Sequence, residues 1–427
     1  MVTKEPVARQ AINKKRTFRL LLVAQSLSAF GDNAVYAVIM GILLELVKSR
    51  QIDLSSFGVA SALYANCLFL PYVIGAPLVG WLSDRYTKKS ILVAANLVKA
   101  CGSLLALAGV FAGKDTLMAS YLLVGVGAAV YSPSKYGIIP ELKSEAELVK
   151  GNAAIEMTTI LSILLGIIGG GLLIDHAGAL FSFALLSVLY CSAALLNALM
   201  ENTGICNREE KLAVAWHDFV RTLKGIFTSR ILAVTVIGTS VFWSSASFVK
   251  LNLQTWGQQV LQLATATSIS LLALWLSIGI IIGSFLAGKL FKTGHIRHSW
   301  LFGFAMGAVI LVMVLGRGSY GIVTVELILL GALGGLFMIP LNAALQARSE
   351  MKDMGKVIAI QNFFENGAML GSAGVFWLMN TLSFSSVATF IAIGGALCTV
   401  NLLVLFPLLR QGPPAPLRGV AGEKAAQ

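Results

Sequence analysis

The sequence predicts an all-α membrane protein with twelve transmembrane helices in two six-helix bundles. Three observations predict it: charge too sparse for a water-facing surface, twelve long apolar runs, and basic residues gathered on one side of those runs.

Charged residues make up 12% of the 427 positions and hydrophobic residues 57%, against about 25% charged in a soluble domain. So few charges cannot clothe a surface in water, so lipid is the solvent for much of the chain. A spanning helix needs about 20 mostly apolar residues. Such runs fall at 18–46, 55–82, 90–112, 117–141, 149–174, 179–200, 231–256, 266–290, 299–315, 321–346, 357–379 and 385–408. They are continuously apolar rather than alternating, which argues against a β-barrel. The first run is long and interrupted by Asp32, which fits a retained span better than a cleaved leader.

The loops set the orientation. Twenty-five Lys and Arg residues lie on the side of the N-terminal arm, among them Lys4, Arg9, Lys14, Lys15, Arg16 and Arg19, and only Lys48, Arg50, Lys114 and Arg317 lie opposite. The positive-inside rule then predicts cytoplasmic termini and an even number of spans. This bias accounts for the net charge of +12 without a nucleic-acid partner, and the basic arm is placed to meet anionic lipid heads.

The longest hydrophilic interval, 201–230, divides the chain into an N-terminal six-helix bundle (1–200), a cytoplasmic central loop, a C-terminal bundle (231–410) and a Pro-rich cytoplasmic tail (411–427). Trp216, Phe219, Val220 and Ile226 alternate there with His217, Arg221 and Lys224, as on a helix lying at a membrane surface. A weak repeat supports the division. Gly125 to Tyr131 leads to Pro133, and Gly331 to Phe337 leads to Pro340; the helices that follow carry Asn152 before Glu156 and Gln361 before Glu365.

Ionisable residues inside the spans cost at least about 2.5–3.5 kcal/mol each in lipid and so face the protein interior. They are Asp32, Lys99, Lys135, Glu156, Lys250 and Glu365. Polar residues accompany them at helical steps: Gln25, Ser28, Asp32 and Tyr36 in the first span, Thr239, Ser240, Trp243, Ser247 and Lys250 in the seventh, and Gln361, Asn362, Glu365 and Asn366 in the eleventh. Such stripes imply a shared aqueous cavity. Its mixture of acids and bases suits a zwitterion, with phosphate meeting lysine and amine meeting carboxylate. Lys99 and Glu156 read better as structural partners that hold helices together. Glycines at 166, 169, 170, 171, 279 and 283 predict close helix packing.

The loop after the second span reads Gly80-Trp81-Leu82-Ser83-Asp84-Arg85-Tyr86-Thr87-Lys88-Lys89. It resembles the signature of the major facilitator superfamily, Gly-x-Leu-x-Asp-Arg-x-Gly-basic-basic, with Thr87 in place of the usual glycine. The resemblance implies a cytoplasmic gate. Asp84 would meet the positive N-terminal end of the eleventh span near Lys356, and Arg85 and Lys88 would bridge to neighbouring carboxylates. It also implies that the first, fourth, seventh and tenth spans line the cavity.

The chain further resembles the bacterial lysophospholipid transporter (LplT) family. Gln25-Ser-Leu-Ser-Ala-Phe-Gly-Asp-Asn33, Leu123 to Ile138, Gly238 to Trp243, Ile339 to Gln346 and Ile358 to Leu370 carry the likeness. It implies transport of lysophospholipids, notably lysophosphatidylethanolamine, to the cytoplasmic leaflet of the bacterial inner membrane. There an acyl-ACP-dependent acyltransferase restores the second chain. It implies headgroup contacts from Asp32, Lys135 and Glu365, and from Lys250 where the family carries arginine; lysine keeps the charge and loses the bidentate fork. Gln25, Asn33, Tyr131, Trp243, Asn362 and Asn366 complete the expected substrate-binding set. The two bundles would rock about the midplane.

A proton-coupled exporter of drugs or small metabolites, with Asp32 or Glu365 carrying the proton, is the alternative. A membrane acyltransferase is disfavoured because none of His176, His217, His295 and His298 has an aspartate four or five residues onward to orient the imidazole. The five cysteines and four histidines show no metal or redox spacing, so no cofactor is expected and the thiols read as free.

Overall fold

A computed structural model describes residues 13–50, 54–207, 211–263, 266–292, 296–315 and 319–407, with the side chains of 54–62, 65 and 266–270 outside the description. The expectations for Lys4, Arg9, Arg208, His295, Arg317 and the tail at 411–427 therefore lie outside the described residues. Within them every regular element is helical.

The first half comprises α1 (Lys14–Lys48), α2 (Leu54–Ile74), α3 (Ala76–Arg85), α4 (Lys88–Ala112), α5 (Lys114–Gly137), the short α6 (Ile139–Leu142) and α7 (Leu148–Ala198). After the connecting α8 (Ala215–Thr228), the second half comprises α9 (Arg230–Gln259), α10 (Ala266–Leu290), α11 (Ser299–Leu315), α12 (Tyr320–Arg348), α13 (Met354–Thr381) and α14 (Ser386–Val400).

Two breaks reconcile these helices with twelve spans. The 51 residues of α7 would extend about 75 Å unbroken, more than twice a bilayer core. Gly178 interrupts them with φ +75°, a backbone conformation glycine adopts without a Cβ clash. The expected fifth and sixth spans meet there. The second break bends the second span by 69° between α2 and α3. Pro77 has no N–H for the Val73 carbonyl, and a Cβ on Gly75 would sit 2.7 Å from the Pro71 carbonyl oxygen. Among the described residues eight helices are long and apolar enough to cross a membrane, nine with the bent pair. The division of α7, the shorter apolar α11 and the more polar α13 supply the rest.

Within the halves α1 packs on α7, α4 on α5 and α7, α9 on α13, α10 on α12 and α11 on α14; between them α7 meets α10, and α13 meets α2, α3 and α5. The glycines act by absence of side chain. A Cβ on Gly279 or Gly283 in α10 would run into the Ile328 or Ala332 carbonyl of α12, and one on Gly335 would lie 2.5 Å from the Ser284 amide nitrogen. Backbones meet along this seam, which in lipid replaces the hydrophobic drive for helix association. Gly283→Leu is expected to force α10 and α12 apart and destabilise the fold by about 1–3 kcal/mol. A melting temperature in detergent equal to that of the unsubstituted chain would show that the seam does not hold the bundle.

Candidate functional site

The ionisable residues divide into two clusters and one outlier. The first cluster is built into the first half. Asp32, midway along α1, accepts from Lys99 Nζ on α4 at 2.7 Å and from the Tyr190 hydroxyl on α7 at 2.9 Å. Lys99 donates also to Ser28 Oγ at 2.9 Å, and Ser28 donates to Asn96 at 2.7 Å. The ammonium lies 5.1 Å from the Tyr131 ring centroid. The Lys99 side chain is 2% exposed and that of Asp32 13%. The pair is thus almost dry, with one flank of the carboxylate open.

The polar stripe of α1 is therefore spent largely inside its own bundle, not on a cavity. Gln25 is buried and bonds Thr158 and Thr159 of α7. Ser28 bonds α4, and Tyr131 is buried beside Lys99. Asn33 donates to the Ala29 carbonyl at 2.8 Å and is half-buried. Sequence periodicity marks a polar face but cannot tell a neighbouring helix from water.

The second cluster straddles the halves. Lys135, near the end of α5, lies within electrostatic reach of Glu156, Asp32 and Glu365. Its ammonium rests 4.4 Å from the Tyr136 ring centroid, and among the described residues no carboxylate approaches it to salt-bridge distance. Glu156 accepts from the Tyr136 hydroxyl at 3.4 Å, and its other oxygen is buried with no partner among the described residues. Glu365 on α13 accepts from Gln361 at 2.8 Å, which also reaches Asn342 at 2.7 Å and Thr239 at 3.2 Å. Asn366 donates to the Asn362 carbonyl at 2.8 Å. Tyr72 at the bend feels both Asp32 and Glu365, although no sequence pattern singled it out.

Lys250, on the far half of α9, is exposed, and among the described residues no carboxylate pairs with it. Trp243, two turns nearer, is half-buried and edge-on to Phe242 at 5.2 Å.

The halves are bolted together at the end that bears the basic loops. Asp84, at the end of α3, accepts from the Gly355 and Lys356 amides at the start of α13, at 2.6 and 3.0 Å. A carboxylate on the first free amides of a helix combines charge-assisted hydrogen bonds with the helix dipole. Lys88 bonds the Ser83 carbonyl and lies 3.5 Å from Asp84, so it neutralises the latch acid itself. Arg85 lies over the rings of Trp81 and Tyr86. Thr87 has φ −65° and caps α4 through Ser90 N; no left-handed turn requires the missing glycine.

Deeper in, a buried amide pair joins the halves. Asn152 of α7 donates to Gln346 of α12 at 2.7 Å and receives from it at 3.1 Å. Gln346 also donates to the Tyr136 carbonyl at 3.2 Å. Below that, Asn362 donates to Ser132 Oγ at 3.0 Å. These bonds form a ladder from the latch to the charged cluster.

Sequence reasoning noted Asn152 only as one position of a repeat. Its bond to Gln346, 194 residues away, was not legible. Asn152→Ala leaves a buried amide without its partner, at about 1–3 kcal/mol. It is expected to speed thiol labelling of a Leu345→Cys reporter, itself buried beside the pair, roughly tenfold, since about 1.4 kcal/mol is a factor of ten. The exchange Asn152→Gln with Gln346→Asn keeps both amides and is expected to restore slow labelling. Equal labelling in all three chains would dismiss the pair as a closure.

Two halves of membrane-spanning helices, latched together at one end and with charged side chains among the helices, make the architecture of a membrane transporter, and the chain belongs to the Major Facilitator Superfamily, whose family model matches residues 21–373. Within it the chain belongs to the lysophospholipid transporter LplT family. It is 34% identical over 383 residues to the lysophospholipid transporter LplT of Pectobacterium carotovorum subsp. carotovorum, covering 87% of this chain and 89% of that protein. Identity to the LplT of Citrobacter koseri is 32% over 390 residues, covering 88% and 91%. The transporter FucP in its outward conformation superposes with a TM-score of 0.73 at 12% identity, covering 92% of this chain and 99% of that one.

Proposed function

We propose that the protein moves lysophospholipids, lysophosphatidylethanolamine foremost and lysophosphatidylglycerol with it, from the outer to the cytoplasmic leaflet of a bacterial inner membrane by alternating access. The observation that carries this reading is Lys135, a cation inside the membrane with acids within reach but, among the described residues, none at bonding distance. Such a charge is unfavourable by several kcal/mol in lipid, so the site is poised for an anionic group. The headgroup phosphate meets Lys135, the amine meets Glu365, and the single acyl chain stays against apolar walls. Asn362 and Asn366 flank the amine, Trp243 the chain. Asp32 offers its open flank to the headgroup, while Gln25, Asn33 and Tyr131 hold α1 and α5 in place around it. Lys250 meets the lipid first.

In this reading the basic loops and both termini are cytoplasmic, as the charge bias requires. The latch at Asp84 and Lys88, with Arg85 beside it, is then the closed inner gate of an outward-facing protein. Family membership among transporters supports a role without covalent chemistry. The delivered lysolipid is substrate for an acyl-ACP-dependent acyltransferase on the cytoplasmic side.

The test is reconstitution into proteoliposomes with labelled lysophosphatidylethanolamine in one leaflet, with and without imposed sodium and proton gradients. Transbilayer movement faster than in protein-free vesicles is expected. Movement no faster under any gradient would overturn the reading, and competition by cationic drugs would point to the exporter.

A further inference from the structure

The connecting helix α8 carries three parallel stripes, each advancing by four, three and four residues. Ala215, Phe219, Thr222 and Ile226 face the protein; Ala215, Phe219 and Ile226 are buried. Trp216, Val220, Leu223 and Phe227 form an apolar flank, with Trp216 68% and Phe227 45% exposed. His217, Arg221, Lys224 and Thr228 form a polar stripe, all exposed. A helix between protein and water needs two faces. A third, greasy and partly exposed, beside a basic one, is the pattern of a helix lying in a lipid interface.

The protein stripe is not docked at random. Phe219 meets Phe363 edge-on at 6.2 Å, and at the end of the apolar flank the partly exposed Phe227 meets Phe364 at 5.4 Å. Both partners lie on α13, the helix whose first amides receive Asp84 and whose other face carries Asn362 and Glu365. The chain leading into α8 is tied to the same latch: Asn207 donates to the Asp84 carbonyl at 2.7 Å, and Thr203 bonds Glu141 on α6.

We propose that α8 is seated in the leaflet at the basic end of the molecule, that Lys211 and Lys224 there take the phosphates of acidic phospholipids, and that this contact steadies α13 in the latched position. The occupant is fixed by complementarity. Lys211 and Lys224 are exposed and, among the described residues, neither has a carboxylate partner, whereas Arg221 is held by Asp218 at 3.1 Å. The apolar flank sets the depth and the lysines set the lipid charge. The proposal rests on the membrane-spanning fold and not on the identity of the transported substrate.

The test uses the full chain with its five native cysteines replaced by alanine, and an environment-sensitive fluorophore on Trp216→Cys or, for comparison, on His217→Cys. In vesicles containing brominated phosphatidylcholine, the label at 216 is expected to be quenched at least twofold more than that at 217. Adding phosphatidylglycerol should deepen the quenching, and high salt should reverse this. Each lysine beside an acidic surface is worth about a fivefold change in partition, so Lys211→Gln with Lys224→Gln should abolish the phosphatidylglycerol effect and leave quenching in neutral vesicles. In parallel, thiol labelling of Leu345→Cys should slow when phosphatidylglycerol is present and not in the double variant. Equal quenching at 216 and 217, or quenching and labelling indifferent to phosphatidylglycerol, would overturn the proposal.

Discussion

Lys135→Ala and Glu365→Ala are each expected to abolish uptake of lysophosphatidylethanolamine by spheroplasts while the protein remains at its normal level in the membrane. Neither side chain holds helices together in the way the Asp32–Lys99 pair does. Among the described residues Lys135 rests on the Tyr136 ring with no carboxylate at bonding distance, and Glu365 accepts from Gln361 of its own helix with Thr239 of α9 nearby. Removing either takes away one charge held in lipid and breaks no ion pair at bonding distance among the described residues, so folding is expected to be spared. What disappears is a partner for one pole of a dipolar headgroup. A charge-assisted hydrogen bond contributes about 1.5–3 kcal/mol, and the loss falls on a step that depends on both poles. Uptake at the unsubstituted rate in either variant would remove that residue from the mechanism. Normal uptake in both would leave the charged cavity without a role in transport.

The opposite balance governs Lys99. Lys99→Met is expected to strand the Asp32 carboxylate, leaving among the described residues the Tyr190 hydroxyl at bonding distance to its side chain. Breaking a buried ion pair from one side costs about 3–5 kcal/mol, whereas replacing both members is often neutral. The single variant should accumulate poorly and melt well below the unsubstituted protein in detergent, and Asp32→Asn with Lys99→Met should restore both properties. If the double variant also transports, Asp32 is a structural member and no part of the headgroup site. If it folds and fails to transport, the open flank of the carboxylate has a second duty. Normal folding of Lys99→Met alone would show that the pair is not a stabilising contact.

These cases mark what the sequence could and could not say. Element number and type were legible because lipid imposes length and apolarity on each span and admits few alternatives. The break at Gly178 fell between two runs already separable by length. Pairing was not legible. Lys99 reads as a structural partner and Asp32 as a cavity charge, but neither sequence position reveals that the two pair because α1 turns this face toward α4. Gln25 and Tyr131 sit on stripes that look wet and are dry, since a polar face inside a bundle and one on a pocket share the same periodicity. The Asn152–Gln346 pair gave one weak signal: an amide at matched depth in each of two apolar helices, a costly thing to bury unless answered. Lys250 keeps its charge but not its neighbours, for depth along α9 separates it from the pocket that its helix was expected to serve.

Asp84 closes the halves by gripping main-chain nitrogens, not a side chain, and this shapes what the clasp can tolerate. A Cβ on Gly355 would stand 2.5 Å from the Asp84 carboxylate and 2.6 Å from Ser83. The receiving position is thus defined by emptiness. Neighbouring Lys356 gives its amide to the grip and its buried ammonium to Asp353 at 3.0 Å, so charge stands at the rim while the receiving spot stays bare. A lock whose keyhole is bare backbone leaves its specificity to whoever carries the acid.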